Sequence, residues 1–158
     1  MKQMDDQISI SVEVPLDDDG FLRRECPNCE RQFKWFSHEE DDVDAEVVDQ
    51  YYCPLCGVAA GTDEWWTQDQ LDAAWGQAGP AVDQFVQDQM NDAFKGLKNV
   101  SYDADPNFTM GIEAPDPLIE PNDMLILEPP CHPNEPIKVP EEAAGHAHCL
   151  VCGTSFAA

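Results

Sequence analysis

Seven cysteines fall into a spacing that few folds accommodate. Cys26-Pro27-Asn28-Cys29 and Cys53-Pro54-Leu55-Cys56 are two CxxC pairs, followed by a lone Cys131 and a third pair, Cys149-Leu150-Val151-Cys152. The first two pairs make a set of four, and the remaining three cysteines make a second set if one histidine joins them. Four thiolates, or three with an imidazole, are the donor sets of closed tetrahedral zinc sites, so the spacing predicts two structural Zn2+ ions per chain. The first would be held by Cys26, Cys29, Cys53 and Cys56. The second takes Cys131, Cys149 and Cys152 plus one of His132, His148 and His146. The residue before the CxxC is Tyr52 in the second pair and His148 in the third. A shared strand position therefore accounts for His148 without a metal, which ranks His132 first and His146 last. An open catalytic site of three cysteines and a water is the alternative, and no H-x-E carboxylate marks it.

Around the first pair the chain reads Phe21-Leu-Arg-Arg-Glu-Cys-Pro-Asn-Cys-Glu-Arg-Gln-Phe-Lys-Trp-Phe36, and around the second Tyr51-Tyr-Cys-Pro-Leu-Cys-Gly-Val58. Each has a strand-like approach to a knuckle in which proline sets the turn, and Gly57 permits the positive φ that closes it. Phe33 and Trp35 alternate with Lys34, the period of a half-buried strand. Residues 21–58, about a quarter of the chain, resemble a zinc ribbon, a small β-hairpin fold held by two knuckles. A redox CxxC would need a single pair opening a helix in a βαβ unit. Zinc ribbons serve transcription factors, ribosomal proteins, enzyme subunits and adaptors alike, so the resemblance implies a fold and not a function. Residues 37–50 form a longer, acidic loop than a minimal ribbon carries, expected to be a solvated spacer.

Charge narrows the choice of partners. Asp and Glu number 32 against 8 Lys and Arg, a net charge of -24, and most of such a surface repels polyphosphate. Half of the basic residues, Arg23, Arg24, Arg31 and Lys34, flank the first CxxC and interleave with Phe33 and Trp35. That local patch is the basis for a nucleic-acid interface, whereas the overall acidity suits solubility or mimicry of a nucleic acid toward a basic protein. No apolar run reaches the roughly 18 residues of a membrane span, and Asp5 and Asp6 stand where a signal peptide would be basic. A cytoplasmic setting is expected, where thiols stay reduced and bind metal.

The organisation reads as α+β: an N-terminal zinc ribbon, a central helix or helix pair, and a C-terminal proline-rich β segment with a second zinc knuckle. The corresponding segments are 1–61, 62–99 and 100–158. Ile8–Val14 alternates with period two and needs a sheet partner, for which the tail strands Met124–Glu128 and Pro136–Pro140 are candidates. Thr67 and Gln70 fit a capping box, with Trp65 and Trp66 closing the start of the helix against the ribbon. Leu71, Ala74, Trp75 and Ala78 would form its apolar face, continued beyond Gly79-Pro80 by Val82, Phe85, Val86, Met90, Ala93, Phe94 and Leu97. No nucleophile-base pair or phosphate loop accompanies these features. The expectation is a non-catalytic zinc protein that acts as a protein-interaction or adaptor module, with nucleic-acid binding or nucleic-acid mimicry as alternatives.

Overall fold

The computed structural model describes residues 13–39, 41–43, 45–100, 103, 111 and 116–157, and shows one helix with small antiparallel sheets, an α+β arrangement. The chain divides into two compact units, residues 14–68 with 118–158 and residues 1–13 with 69–117.

The first unit is four hairpins in succession. β1 (Phe21–Glu25) pairs with β2 (Gln32–Phe36), β3 (Gln50–Tyr52) with β4 (Ala59–Gly61), β5 (Leu125–Leu127) with β6 (Ile137–Val139), and β7 (His146–His148) with β8 (Ser155–Ala157). β2 also pairs antiparallel with β6, which gives a four-stranded sheet in the order β1-β2-β6-β5. The expected tail strands are thus present, shortened to three residues each. Pro129, Pro136 and Pro140 bracket them, and a residue without an N–H cannot extend the ladder. Of the expected N-terminal strand, residues 8–12 lie outside the described residues, and Glu13 and Val14 belong to no strand.

The β2–β6 pairing sets Lys34 opposite Lys138. Two antiparallel strands that meet at equivalent residues relate their hairpins by a pseudo-two-fold axis. The register then equates Phe33 with Ile137, Arg24 with Leu127 and Glu25 with Glu128. Phe33 and Ile137 are both fully buried, and with Trp65, Val139, Ala147, Leu150, Cys26 and Cys53 they form one core shared by the two halves. Trp65 packs edge-on against Phe33 (5.7 Å between centroids) and Trp35 (6.3 Å), as expected for a residue that seals the ribbon.

The same pairing buries two ammonium groups. Lys34 and Lys138 are 0% exposed, and both reach one carboxylate oxygen, Asp17 Oδ2, at 3.0 and 2.7 Å. Lys138 also meets Asp19 and Asn122, and Lys34 meets Glu120 and the Pro121 carbonyl. The other oxygen of Asp17 accepts from the Asp19 and Phe21 N–H groups, each at 3.0 Å. Burial raises the pKa of Asp17, but the hydrogen bonds from Lys138, Phe21, Lys34 and Asp19 outweigh it and hold the carboxyl well below the usual range.

The helix α1 (Gln68–Phe94) begins directly after Thr67 and runs through Pro80 as a single element. Its buried residues match the expected apolar face at Ala78 and depart from it elsewhere. Leu71 and Trp75 are 41% and 65% exposed, whereas Gln70, Ala73, Gly76 and Gly79 are buried at three-residue intervals, with Ala78 beside them. Among the described residues no helix is long and apolar enough to cross a membrane.

Removing the carboxylate that both lysines share leaves two buried charges short of a partner. Asp17→Ala is expected to cost about 3–5 kcal/mol in denaturant unfolding of the zinc-loaded chain at pH 7. A carboxyl with a depressed pKa stabilises the fold above its unfolded pKa of about 4, and that contribution is lost as pH falls toward the folded value. Part of the parent chain's loss of stability below about pH 4 should therefore be missing in the variant.

Candidate metal centres

Three of the four hairpins end in the same knuckle. The residue before the first cysteine pairs with the residue six beyond that cysteine: Glu25 with Gln32, Tyr52 with Ala59, His148 with Ser155. Within each loop the cysteine N–H donates to a carbonyl five residues on (Arg31, Val58 and Thr154), and its own carbonyl accepts from the N–H four residues on (Glu30, Gly57 and Gly153), all at 2.9–3.0 Å. The ring requires a positive φ at the fourth residue, which is 58° at Glu30, 76° at Gly57 and 74° at Gly153. Glycine adopts this without strain and glutamate does not.

The first two knuckles face each other. Cys26 Sγ lies 3.7 Å from Cys56 Sγ, Cys29 Sγ lies 3.9 Å from Cys53 Sγ, and the four sulfurs fall within 4.8 Å of one another. Sulfurs about 2.3 Å from a tetrahedral zinc stand about 3.8 Å apart, and a disulfide would need about 2.05 Å. Backbone N–H groups of Asn28 and Cys29 point at Cys26 Sγ, and those of Leu55 and Cys56 at Cys53 Sγ, at 3.3–3.4 Å. Such donors favour thiolate over thiol.

The second cluster joins the β7–β8 knuckle to the β5–β6 loop. Cys131 Sγ is 3.4 Å from Cys152 Sγ, and Cys149 Sγ is 3.4 Å from His132 Nδ1, with all four donors again within 4.8 Å. Tetrahedral zinc with one sulfur and one imidazole ligand sets those two donors about 3.6 Å apart. The turn Pro129–Glu135 presents the adjacent Cys131 and His132 together, closed by the His132 N–H on Pro129 O and the Glu135 N–H on His132 O. Both donor sets can thus each hold a metal ion of zinc's preferences.

Charge in the clusters also calls for a cation. Burial pushes the Cys53 thiol far above its ordinary range and Cys149 to about 12, against backbone N–H groups that act the other way. For Cys56 and Cys152 burial is outweighed, by the Val58 N–H and Asn28 at the first and by Thr154 at the second, which brings them to about 7 and about 6. One thiol in each cluster ionises readily while another is held back. A divalent cation removes that conflict and releases protons as it binds.

The remaining histidines have other positions. A Cβ on Gly57 would meet the His148 ring at 3.0–3.2 Å, and one on Gly153 would meet the Tyr52 ring at 2.6–3.0 Å. The contact is reciprocal in the backbone as well. The Tyr52 N–H donates to Leu150 O and the His148 N–H to Pro54 O, each at 2.9 Å. His148 is therefore the packed counterpart of Tyr52, and the two knuckles lock together across the pseudo-two-fold axis. His146 is exposed, with its ring against His148.

The basic residues flanking the first knuckle are mostly engaged within the chain. Arg23 is held by Glu120 at 2.9 Å and Asp123 at 2.6 Å, and Lys34 is fully buried. Arg24 lies over the rings of Trp35 (4.6 Å) and Trp66 (4.8 Å). Burial lowers its pKa to about 10. Arg31 is exposed. Sequence reasoning missed the glycine contacts and the Asp17 network, because neither has a local pattern. The identical CxxCG spacing of the second and third pairs was the one available signal for the first.

Comparison of the chain with protein-family models, with curated proteins and with solved structures finds no match.

Two zinc ions per chain are expected by native mass spectrometry. His132→Ala should reduce this to one after dialysis, whereas His148→Ala should keep both while lowering stability. Glu30→Gly, which relieves the one strained knuckle, should stabilise the zinc-loaded chain by about 1 kcal/mol in denaturant unfolding.

Proposed function

We propose that this chain is a non-catalytic, zinc-stabilised interaction module that binds another protein in a reducing compartment such as the cytoplasm. The observation that carries this reading is the closure of both clusters. All four donors in each come from the chain itself, so a bound ion keeps no position for a water or a substrate, as in structural rather than catalytic zinc sites. When bound, the metal cross-links hairpins whose strands are mostly three residues long, too short to hold together unaided.

Charge supports a protein partner over a nucleic acid. Arg23, Arg24 and Lys34 are occupied by carboxylates or aromatic rings, and the chain carries a net charge of -24. A surface of that sign attracts cationic protein and repels phosphate. Thiol clusters kept for metal fit a compartment in which disulfides do not form.

Cross-linking of the zinc-loaded chain in an extract of its source cells, followed by reconstitution with the purified candidate, should give a saturable complex that disappears when a chelator strips the metal. Salt-steep binding to DNA that is abolished by Arg31→Glu would assign the ribbon to nucleic acid instead. Metal-dependent turnover of a substrate would sink the non-catalytic assignment.

A further inference from the structure

The pseudo-two-fold axis permits a comparison of the two halves, and one of their differences lies in how the space between the hairpins is filled. In the first half the end of β4 and the end of β1 are bridged by residues 62–65. The Glu64 N–H donates to Gly61 O at 3.2 Å, the Glu25 N–H donates to Trp65 O at 3.0 Å, and the Trp65 indole fills the space between the two hairpins with 0% exposure. The equivalents of Gly61 and Glu25 in the second half are Ala157 and Glu128. There the space is an open groove of about 360 Å³, lined by Ile126, Leu127, Glu128, Phe156 and Ala157. Phe156 stands at the position of Ala60 and lines this groove. No backbone carbonyl among the described residues accepts from Glu128 as Trp65 does from Glu25.

β5 is an edge strand of the four-stranded sheet, and Leu125 and Ile126 are 47% and 48% exposed. Edge strands are usually blunted by lysine, proline or a covering segment. On β1 the position equivalent to Ile126 holds Arg23, bound to Glu120 and Asp123, whereas β5 itself, Leu125–Leu127, is wholly apolar.

Local charge indicates what the groove would accept. The bridging segment of the first half carries Asp63 and Glu64, and Asp63 acts favourably on Arg24. The equivalent of Arg24 is Leu127, and the ionisable side chain that lines the groove is Glu128. An acidic segment would thus find no cation there and one carboxylate against it, in a chain whose net charge is -24. Lysine or arginine at those places would be complementary.

We propose that the open edge of β5 and the β5–β8 groove receive an extended, basic segment of the partner protein, with one aromatic side chain seated in the groove as Trp65 is seated in the first half. The proposal rests on the protein-interaction reading above and deepens it. Main-chain hydrogen bonds along β5, beginning at the Glu128 N–H, would supply affinity. The groove would supply specificity.

The chain provides its own probe. A blocked peptide Thr-Lys-Lys-Trp-Trp-Thr, which is residues 62–67 with both acidic positions changed to lysine, should bind the zinc-loaded protein saturably and shift amide resonances of residues 125–128 and 155–157. Affinity should exceed that of Thr-Asp-Glu-Trp-Trp-Thr and of Thr-Lys-Lys-Ala-Ala-Thr by about tenfold or more. Ile126→Lys should lower it by a similar factor while two zinc ions stay bound. Equal affinity for the lysine-alanine peptide, shifts confined to other residues, or no saturation would overturn the assignment of this edge. So would self-association in sedimentation that Ile126→Lys abolishes, which would make a second copy the occupant. Any of these results leaves the broader reading standing if the cross-linked complex still forms. Failure of that complex overturns the reading itself.

Discussion

The antiparallel meeting of β2 and β6 places one lysine directly opposite another, both out of water. Like charges facing across a strand pair repel, and each ammonium also loses its hydration. Asp17 makes the arrangement tenable by putting one carboxylate oxygen within 3.0 Å of both, while backbone N–H groups fix the other oxygen. Because Asp19, Glu120 and Asn122 then converge on the same pair, the turn before β1 and the segment before β5 are drawn over one face of the sheet. The apolar face on the other side can then be continuous across both halves.

The metal clusters depend on that shared sheet in unequal ways. The first has two knuckles, each with N–H groups aimed at its buried cysteine. The second has one knuckle and one turn of adjacent cysteine and histidine, and its Cys131 and Cys152 are exposed while Cys26 and Cys53 are buried. Thiolates open to water are less protected against competing chelators and oxidants. The reciprocal packing of Tyr52 on Gly153 and His148 on Gly57 means that neither cluster stands alone.

Local chemistry was the part legible in the sequence. The three CxxC pairs, the turn proline and glycine, the alternation of Phe33 with Trp35, and the short tail strands all have signatures within about ten residues. His132 could be ranked above His148 only because Tyr52 offered an internal comparison. The lysine pair could not be foreseen, since Lys34 and Lys138 become neighbours through a pairing of strands far apart in the chain. Lys34 and Arg23 therefore looked like surface cations when they are structural ones. The helix misled for a related reason: hydrophobicity favoured Leu71 and Trp75, whereas the buried positions include Gly76 and Gly79, which carry no hydrophobic signal.

A symmetric scaffold with unlike edges separates the residues that fold from those free to recognise. Positions on the axis are matched in both halves: Lys34 with Lys138, Phe33 with Ile137, Gly57 with Gly153. They are all packed, so a change at one alters a contact made by the other. Positions at the outer strands are not matched: Arg23 is equivalent to Ile126, and Arg24 to Leu127. On β1 those residues are consumed by Glu120, Asp123 and the tryptophans, and the end of the strand is met by Trp65 through the Glu25 N–H. On β5 the same two positions are apolar, with Ile126 half-exposed and Leu127 against the core. Solvent-exposed apolar residues on a bare strand edge are a liability in a stable fold unless another chain meets them, and in this protein that edge lies where the internal symmetry is broken.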